Sequence, residues 1–372
     1  MYEDTEALVA SHACGVLDSP SRFHLVITRP GCEYDGDIRR YYSKIAALLP
    51  AWFEHSVISG YGDMQALETK VDPDVRNARE IPASEFSVKP ELLNQIQKKW
   101  GSHFLPRKVR AEPYKIHLYG PGGHFKSHRD TPETGLVGTF LVGLGDTSTG
   151  SRGNFHIADK TLKAGACHWV AFHPDVPHKI TKVEGGYRAV MAFKIFRVAD
   201  NKDEILPAQL EARVKKVLDR IPVPFGLFMM HQYSIGTTSL NGFDALIAAY
   251  SHSRNDIQAR MLPVVTTFSG EVFYRDLLSR GYENYAKSRV FPFTTAHVDI
   301  LLKKNVAQAE KQVKWLEGFS KIPFYSLDIK SMEAWKEDHP NGMNYTGNEA
   351  DSVREDSVYF SYAILFLPQS SD

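Results

Sequence analysis

The chain has 372 residues, of which 43% are hydrophobic and 24% charged, the composition of a globular protein with a substantial core. Forty-four basic residues balance forty-four acidic ones, so no overall field attracts nucleic acid or an anionic membrane. The three cysteines are few and far apart, and no stretch reaches the ~18 apolar residues of a membrane span. These totals predict a cytoplasmic protein that binds neither nucleic acid nor membranes, and they leave the oligomeric state open.

Residues 1–108 are predicted to form an N-terminal helical supporting region. Apolar residues recur at helical spacing in two of its segments, residues 37–53 and residues 90–100. Pro90 suits the first turn of the second helix, because its missing N–H needs no partner there. Both helices are expected to pack against a sheet.

Residues 109–199 are predicted to form the core of an α+β protein. Short segments rich in β-branched and aromatic residues are separated by turn residues, with no helix long enough for a crossover. This pattern indicates an antiparallel sandwich or barrel such as a jelly roll. Gly185 and Gly186 stand between two strands, as in a tight hairpin that needs positive φ. Residues 200–372 mix strand-like and helical patterns, which predicts an additional C-terminal α+β lobe.

The motif His-x-Asp occurs three times, and only one copy has the context of a metal site. On an extended segment, residues i and i+2 project to the same side and can bind one ion. The copy at 297–299 lies in a helical pattern, where such residues are about 200° apart. The copy at 173–175 lies in a proline-rich turn. The remaining copy, His128 and Asp130, follows a strand and a glycine-rich loop.

A third metal ligand must come from a distant strand, and His178 begins a suitable one. Two histidines and one carboxylate on one face of an octahedron leave three positions for a co-substrate and O2, as in non-haem Fe(II) oxygenases. Arg188 follows ten residues later, on a strand face shared with Val190 and Ala192. A buried arginine among such neighbours requires an anion, and a guanidinium binds a carboxylate through two parallel hydrogen bonds.

The segments YKIHLYGPGGHFKSHRDTP, GTFLVGL and WVAFHPDVPHKITKVEGGYRAVMAFKI resemble the prolyl-4-hydroxylase-like branch of the 2-oxoglutarate/Fe(II)-dependent dioxygenases. The resemblance covers about residues 109–198. It implies a double-stranded β-helix (jelly roll) in which Fe(II) is bound by His128, Asp130 and His178. It also implies that Arg188 binds the 5-carboxylate of 2-oxoglutarate.

In related oxygenases, the strand before His-x-Asp also contributes to the 2-oxoglutarate site. The matching residues are His117 and Tyr119, of which Tyr119 is the phenol donor to a carboxylate, and Thr139 on the next strand adds a hydroxyl. The sequence departs from the family pattern at TSTGSRGNFHI, where collagen-type members carry a Gly-Gly-containing segment. This difference concerns the shape of the entrance through which the substrate reaches the site, not the metal site. Residues 71–81 and 345–350 are also similar to segments of larger members, mostly fungal or protist.

The activity that the resemblance implies is oxidation of an amino-acid-like or specialised-metabolite substrate, with release of succinate and CO2. Hydroxylation, desaturation and cyclisation share this iron chemistry, with O2 consumed and ascorbate as a supporting reductant. One alternative is a prolyl hydroxylase that acts on a peptidyl substrate. Two others are a non-catalytic cupin-like module that binds a ligand and a zinc hydrolase that uses the same three metal ligands.

Overall fold

The computed structural model has mostly antiparallel sheets flanked by helices, so the predicted α+β class is confirmed. The described residues fall in two compact units, one within the first 205 residues and one after them. No helix among the described residues is both long and apolar enough to cross a membrane. The structure describes residues 10–17, 23–38, 42–63, 68–131, 133–149, 153–198, 208–233, 240–273, 282–292, 304–315, 321–325 and 360–369, and the single residues 237, 294, 296 and 299.

The first unit carries the residues singled out from the sequence. Its helices are α1 (Tyr42–His55) and α2 (Pro90–His103). Its strands, in chain order, are β1 (His12–Val16), β2 (His24–Ile27), β3 (Tyr34–Asp37), β4 (Val57–Ile58), β5 (Tyr61–Asp63), β6 (Glu68–Lys70), β7 (Arg76–Asn77), β8 (Arg79–Pro82), β9 (Phe86–Val88), β10 (Val109–Tyr119), β11 (His124–His128), β12 (Leu136–Asp146), β13 (Phe155–Ile157), β14 (Lys160–Leu162), β15 (His168–Phe172), β16 (His178–Ile180) and β17 (Arg188–Arg197).

Both N-terminal helices form where the apolar spacing predicts them, with one shifted boundary. Helix α2 begins at Pro90 and buries Leu92, Ile96 and Trp100 along one face. Helix α1 begins at Tyr42 rather than at residue 37, because Asp37 belongs to β3 and pairs with β2.

Two antiparallel sheets of the first unit share a hydrophobic core. Their strand orders are β1-β15-β12-β17-β10-β8-β4 and β14-β13-β16-β11-β7. Strands β10 to β17 pair as one nested hairpin, β10 with β17, β11 with β16, β12 with β15 and β13 with β14. A buried cluster joins the two sheets, with Phe125 and Ile180 from one and Leu141 and Phe172 from the other. This folding brings residues that are distant in sequence onto facing surfaces.

The predicted tight hairpin at Gly185–Gly186 is wrong. Strand β16 pairs with β11 and β13, whereas β17 pairs with β10 and β12 in the other sheet. The two glycines therefore lie where the chain passes from one sheet to the other. Gly186 does have the expected positive φ, +74°, and a Cβ there would lie 2.1 Å from the Thr147 carbonyl oxygen. The local pattern identified the turn but not the pairing of the strands that it joins.

Trp100 fixes α2 against the seven-stranded sheet. Its indole Nε1 donates a hydrogen bond to the Pro106 carbonyl oxygen at 3.0 Å, and its ring covers Gly138 so closely that a Cβ there would lie 2.1 Å from Cη2. We expect Trp100→Ala to lower the free energy of unfolding by about 3–5 kcal/mol, because it leaves a large cavity. Urea denaturation measures this loss. The control is Ile58→Ala, at a side chain that is 61% exposed, and an equal loss there would contradict the assignment.

The second unit contains one five-stranded sheet and three described helices. The sheet order is β20-β19-β22-β18-β21. The helices are α3 (Ala208–Leu218), α4 (Gly242–His252) and α5 (Val306–Trp315). The strands are β18 (Phe225–Tyr233), β19 (Ile257–Phe273), β20 (Tyr282–Pro292), β21 (Phe324–Tyr325) and β22 (Phe360–Pro368). Residues 345–350 and His297 of the third His-x-Asp copy lie outside the described residues.

Candidate metal and carboxylate site

A cavity of about 370 Å³ lies between the two sheets of the first unit, a size typical of small-molecule sites. Strands β10, β12 and β17 of the seven-stranded sheet line one side, and β11 and β16 line the other. All seven residues singled out from the sequence line this cavity: His117, Tyr119, His128, Asp130, Thr139, His178 and Arg188.

Three of these residues form a group that can hold a metal ion. His128 and His178 are direct partners in the antiparallel pair of β11 and β16, and Asp130 follows two residues after β11. One ligand atom from each lies within 4.8 Å of the other two. The nearest approach of Asp130 to His178 is 3.7 Å, from Oδ1 to Nε2. Two imidazoles and one carboxylate in this arrangement are the donor set of a facial triad.

Backbone hydrogen bonds decide which nitrogen of each histidine is available to a metal. The Nδ1–H of His128 donates to the Lys126 carbonyl oxygen at 2.8 Å, and that of His178 donates to the Val176 carbonyl oxygen at 3.0 Å. In both cases the acceptor stands two residues earlier in the chain. The Nε2 atoms are therefore the ring nitrogens left to bind a metal, and the bonds at Nδ1 fix the ring orientations.

Aromatic neighbours hold the two imidazole rings. The His128 ring stacks on Phe125 with ring centroids 3.5 Å apart, and the His178 ring packs on Phe172 at 4.5 Å. Burial lowers the pKa of His128 well below its usual value, and the neighbouring His178 lowers it further. His128 is therefore neutral at physiological pH, which is the form that binds metal.

Thr139 orients the carboxylate of the group. Its hydroxyl donates a short hydrogen bond to Asp130 Oδ2, and the Asp130 backbone N–H donates to the Pro174 carbonyl oxygen at 3.0 Å. These bonds leave Oδ1 on the side of His178. The sequence suggested Thr139 as a donor to the co-substrate, whereas in the structure its hydroxyl contacts a metal-ligand candidate.

We expect Thr139→Val to weaken metal binding by about 10- to 100-fold, because removal of a hydrogen-bond donor to a ligand carboxylate loosens its orientation. Calorimetric titration with Mn(II) measures the affinity. Thr139→Ser keeps the hydroxyl and should bind Mn(II) within about 3-fold of the wild type. If both variants bind equally well, the hydroxyl does not support the ligand.

Arg188 also lines the cavity and is buried, with only 2% of it exposed. Its Nη1 donates to the carbonyl oxygens of Leu162 at 3.1 Å and Gly153 at 3.3 Å, and lies 3.7 Å from Asp146 Oδ2. Its Nε has no hydrogen-bond partner among the described residues. Burial lowers the pKa of Arg188 and Asp146 opposes this, so the guanidinium stays charged. The sequence predicts an anionic partner for this arginine, and the structure places the Asp146 carboxylate beside it.

Tyr119 lies on β10, where it pairs with Arg188 across the antiparallel sheet. The side chain is only 3% exposed. Burial raises the pKa of the phenol, although the charges of Arg76 and Arg188 favour its ionised form. The phenol is therefore protonated near neutral pH and can donate a hydrogen bond into the cavity.

Sequence reasoning missed a second buried arginine of the cavity, Arg76 on β7. Its Nη2 donates to His117 Nδ1 and its Nη1 to the Gly60 carbonyl oxygen, both at 2.8 Å. Burial and then the Arg76 charge lower the pKa of His117 well below its usual value. The available signal was the segment at 71–81, but nothing local to it connects Arg76 with the His-x-Asp strand.

The copy of His-x-Asp at 173–175 is structural, as its turn context predicted. His173 is 1% exposed, and its Nδ1–H donates to the Val137 carbonyl oxygen at 3.0 Å. Its ring also packs edge-on against Trp100 and Phe104. This histidine therefore belongs to the core beneath the sheet.

Prolyl hydroxylases and a related oxygenase are among the solved structures that are similar to this chain. A prolyl-4-hydroxylase from Pseudomonas putida has 13% identity and a TM-score of 0.36, with 53% of this chain and 98% of that chain covered. A Trichoplax adhaerens prolyl hydroxylase, solved with a hypoxia inducible factor peptide fragment, has 14% identity and a TM-score of 0.31, with 51% and 88% covered. A 2OG-Fe(II) oxygenase family oxidoreductase from Burkholderia pseudomallei has 12% identity and a TM-score of 0.26, with 36% and 75% covered.

The chain is thus similar to 2-oxoglutarate/Fe(II) oxygenases of the prolyl-4-hydroxylase type. No family model and no curated protein sequence matches it.

Proposed function

We propose that the protein is a 2-oxoglutarate-dependent non-haem Fe(II) dioxygenase. The observation that carries this proposal is one cavity that is lined both by a group of two histidines and an aspartate and by a buried arginine. The group can hold a divalent ion, and the arginine can hold a carboxylate. This combination fits a co-substrate that is at once a metal chelator and an anion.

His128, Asp130 and His178 fit Fe(II) by the chemistry of their donor atoms. Two imidazole Nε2 atoms and one carboxylate oxygen converge, and each histidine is held by a hydrogen bond to a backbone carbonyl oxygen. Three protein ligands leave positions for 2-oxoglutarate and O2. When bound, Fe(II) would supply O2 activation coupled to the decarboxylation of 2-oxoglutarate to succinate and CO2.

Arg188 and Tyr119 are proposed to hold the 5-carboxylate of 2-oxoglutarate. The guanidinium keeps an unused Nε–H, and the phenol is a neutral donor on the adjacent strand. Asp146 and two backbone carbonyls fix the guanidinium before any ligand arrives. Binding therefore requires little reorganisation, which favours affinity. His117 lines the same cavity and is proposed as a donor to a carboxylate that lies beside Arg76, its hydrogen-bond partner.

The fold that we propose for the core is the double-stranded β-helix, or jelly roll. Strands β10 to β17 pair as a nested hairpin divided between two sheets, which supports this assignment. The lining of the cavity combines polar side chains with apolar ones from the facing sheets, among them Phe125, Leu141 and Phe172. The apolar side chains help to exclude water from the reacting atoms.

The deciding assay combines purified protein, Fe(II), ascorbate, O2 and 2-oxoglutarate, with succinate measured as product. We expect slow succinate release without further additions and faster release with a substrate extract. A cupin-like binding module would release no succinate. A zinc hydrolase would act without O2 or 2-oxoglutarate. Absence of both succinate release and 2-oxoglutarate binding would overturn the proposal.

A further inference from the structure

The cavity contains more cationic than anionic side chains. The cations that line it are Arg76, Lys115, Arg129, Arg188 and Lys194, and the carboxylates are Asp130 and Glu133. Three of the cations pair with carboxylates of the chain: Lys115 with Glu80, Arg188 with Asp146 and Lys194 with Glu133. Arg76 differs from these three because it has no carboxylate partner among the described residues.

Arg76 is 6% exposed, and no carboxylate of the described residues lies within 4.0 Å of it. Its side-chain hydrogen bonds go to the Gly60 carbonyl oxygen, to His117 Nδ1 and to the Tyr119 phenol oxygen, none of which carries a negative charge. Its Nε is buried without a hydrogen-bond partner among the described residues. A buried cation without a compensating charge is unfavourable, so the site is prepared for an anion.

Arg76 lies close to the metal-ligand candidates, because it contacts the same aromatic ring as His128. Its guanidinium lies over the Phe125 ring at 4.5 Å, and the same ring stacks on His128 at 3.5 Å. Because Arg76 must donate to His117 Nδ1, the proton of that neutral imidazole is on Nε2. His117 also lines the cavity, so its Nε2–H is a second donor beside the guanidinium.

We propose that Arg76, with His117 as a second donor, binds a carboxylate of the molecule that is oxidised. This inference rests on the proposed function, which already assigns Arg188 to 2-oxoglutarate. The substrate class that follows is a small molecule with a free carboxylate, such as an unprotected amino acid. Arg76 would fix that carboxylate beside the metal group and so position the rest of the molecule for oxidation.

The test uses the full chain loaded with Zn(II), which supports no turnover, and with saturating 2-oxoglutarate. Trifluoroacetate serves as a carboxylate probe and trifluoroacetamide as its neutral counterpart, both followed by fluorine NMR. We expect saturable binding of trifluoroacetate only. Arg76→Gln should weaken it by at least about 10-fold, and Arg76→Lys, which keeps the charge but loses the planar fork, should weaken it less. The affinity for 2-oxoglutarate should fall by much less in both variants than in Arg188→Gln, because Arg76 reaches the co-substrate site only through its contact with Tyr119.

Three results would overturn the inference. The first is the absence of saturable trifluoroacetate binding to the wild type, and the second is equal binding to Arg76→Gln. The third is a loss of 2-oxoglutarate affinity in Arg76→Gln as large as in Arg188→Gln, which would assign Arg76 to the co-substrate. Thermal unfolding shows whether each variant folds, and Arg76→Lys replaces Arg76→Gln if the latter does not. If the wild type binds neither Zn(II) nor 2-oxoglutarate, the result contradicts the proposed function rather than this inference. The two failures can be distinguished because trifluoroacetate can also be titrated into the protein without Zn(II) and 2-oxoglutarate.

Discussion

Asp130→Ala is expected to abolish succinate release and to weaken Fe(II) binding by more than about 100-fold. Asp130 is the only carboxylate in the described group of three ligand candidates. Without it, two imidazoles remain in this group, and the group contributes no negative charge to offset that of the ion. Succinate formation measures the activity, and anaerobic calorimetry with Fe(II) measures the affinity.

Asp159→Ala is the matched control for this variant. Asp159 lies at the turn between β13 and β14, and its side chain is 74% exposed. The same change of residue type there should leave succinate release within about 2-fold of the wild type. Succinate release by Asp130→Ala at the wild-type rate would remove Asp130 from the metal site and contradict the predicted ligand set.

The ligand candidates could be predicted because their signals are local. His128 and Asp130 stand two residues apart in an extended segment, and the competing copy at 173–175 carries prolines that make a turn. The prediction of His178 as a ligand required only that a later strand pair with the strand that carries His128. The register that makes His178 the direct partner of His128 could not be predicted, because it depends on how the sheets pair.

The electrostatic partners of the site could not be predicted, because they come from strands far away in the sequence. Arg76 is 52 residues before His128 by residue number, and β7 joins the five-stranded sheet only through its pairing with β11. Asp146 reaches Arg188 because β12 and β17 are neighbours, at a register that a bulge shifts. The formal net charge of the chain is zero, although cationic side chains outnumber anionic ones in the lining of the cavity. Net charge therefore gives no information about the charge of the ligands.

Arg188→Gln is expected to raise the Kd of 2-oxoglutarate by about 100-fold, or about 2.7 kcal/mol, because it removes the proposed charged partner of a buried carboxylate. Metal affinity should change little, since Arg188 does not belong to the ligand group. Calorimetric titration of the Mn(II)-loaded protein with 2-oxoglutarate measures the effect. Arg110→Gln is the control, because this arginine of β10 has a side chain that is 63% exposed.

A loss of 2-oxoglutarate binding could also arise from a loosened fold, because Arg188→Gln leaves Asp146 buried without its cation. Only 4% of the Asp146 side chain is exposed. The double variant Arg188→Gln/Asp146→Asn removes both charges, so it should regain stability in thermal unfolding without regaining affinity. If affinity returns together with stability, Arg188 serves the fold and not the co-substrate. If the single variant binds 2-oxoglutarate as the wild type does, the carboxylate is bound elsewhere, and Arg76 becomes the candidate.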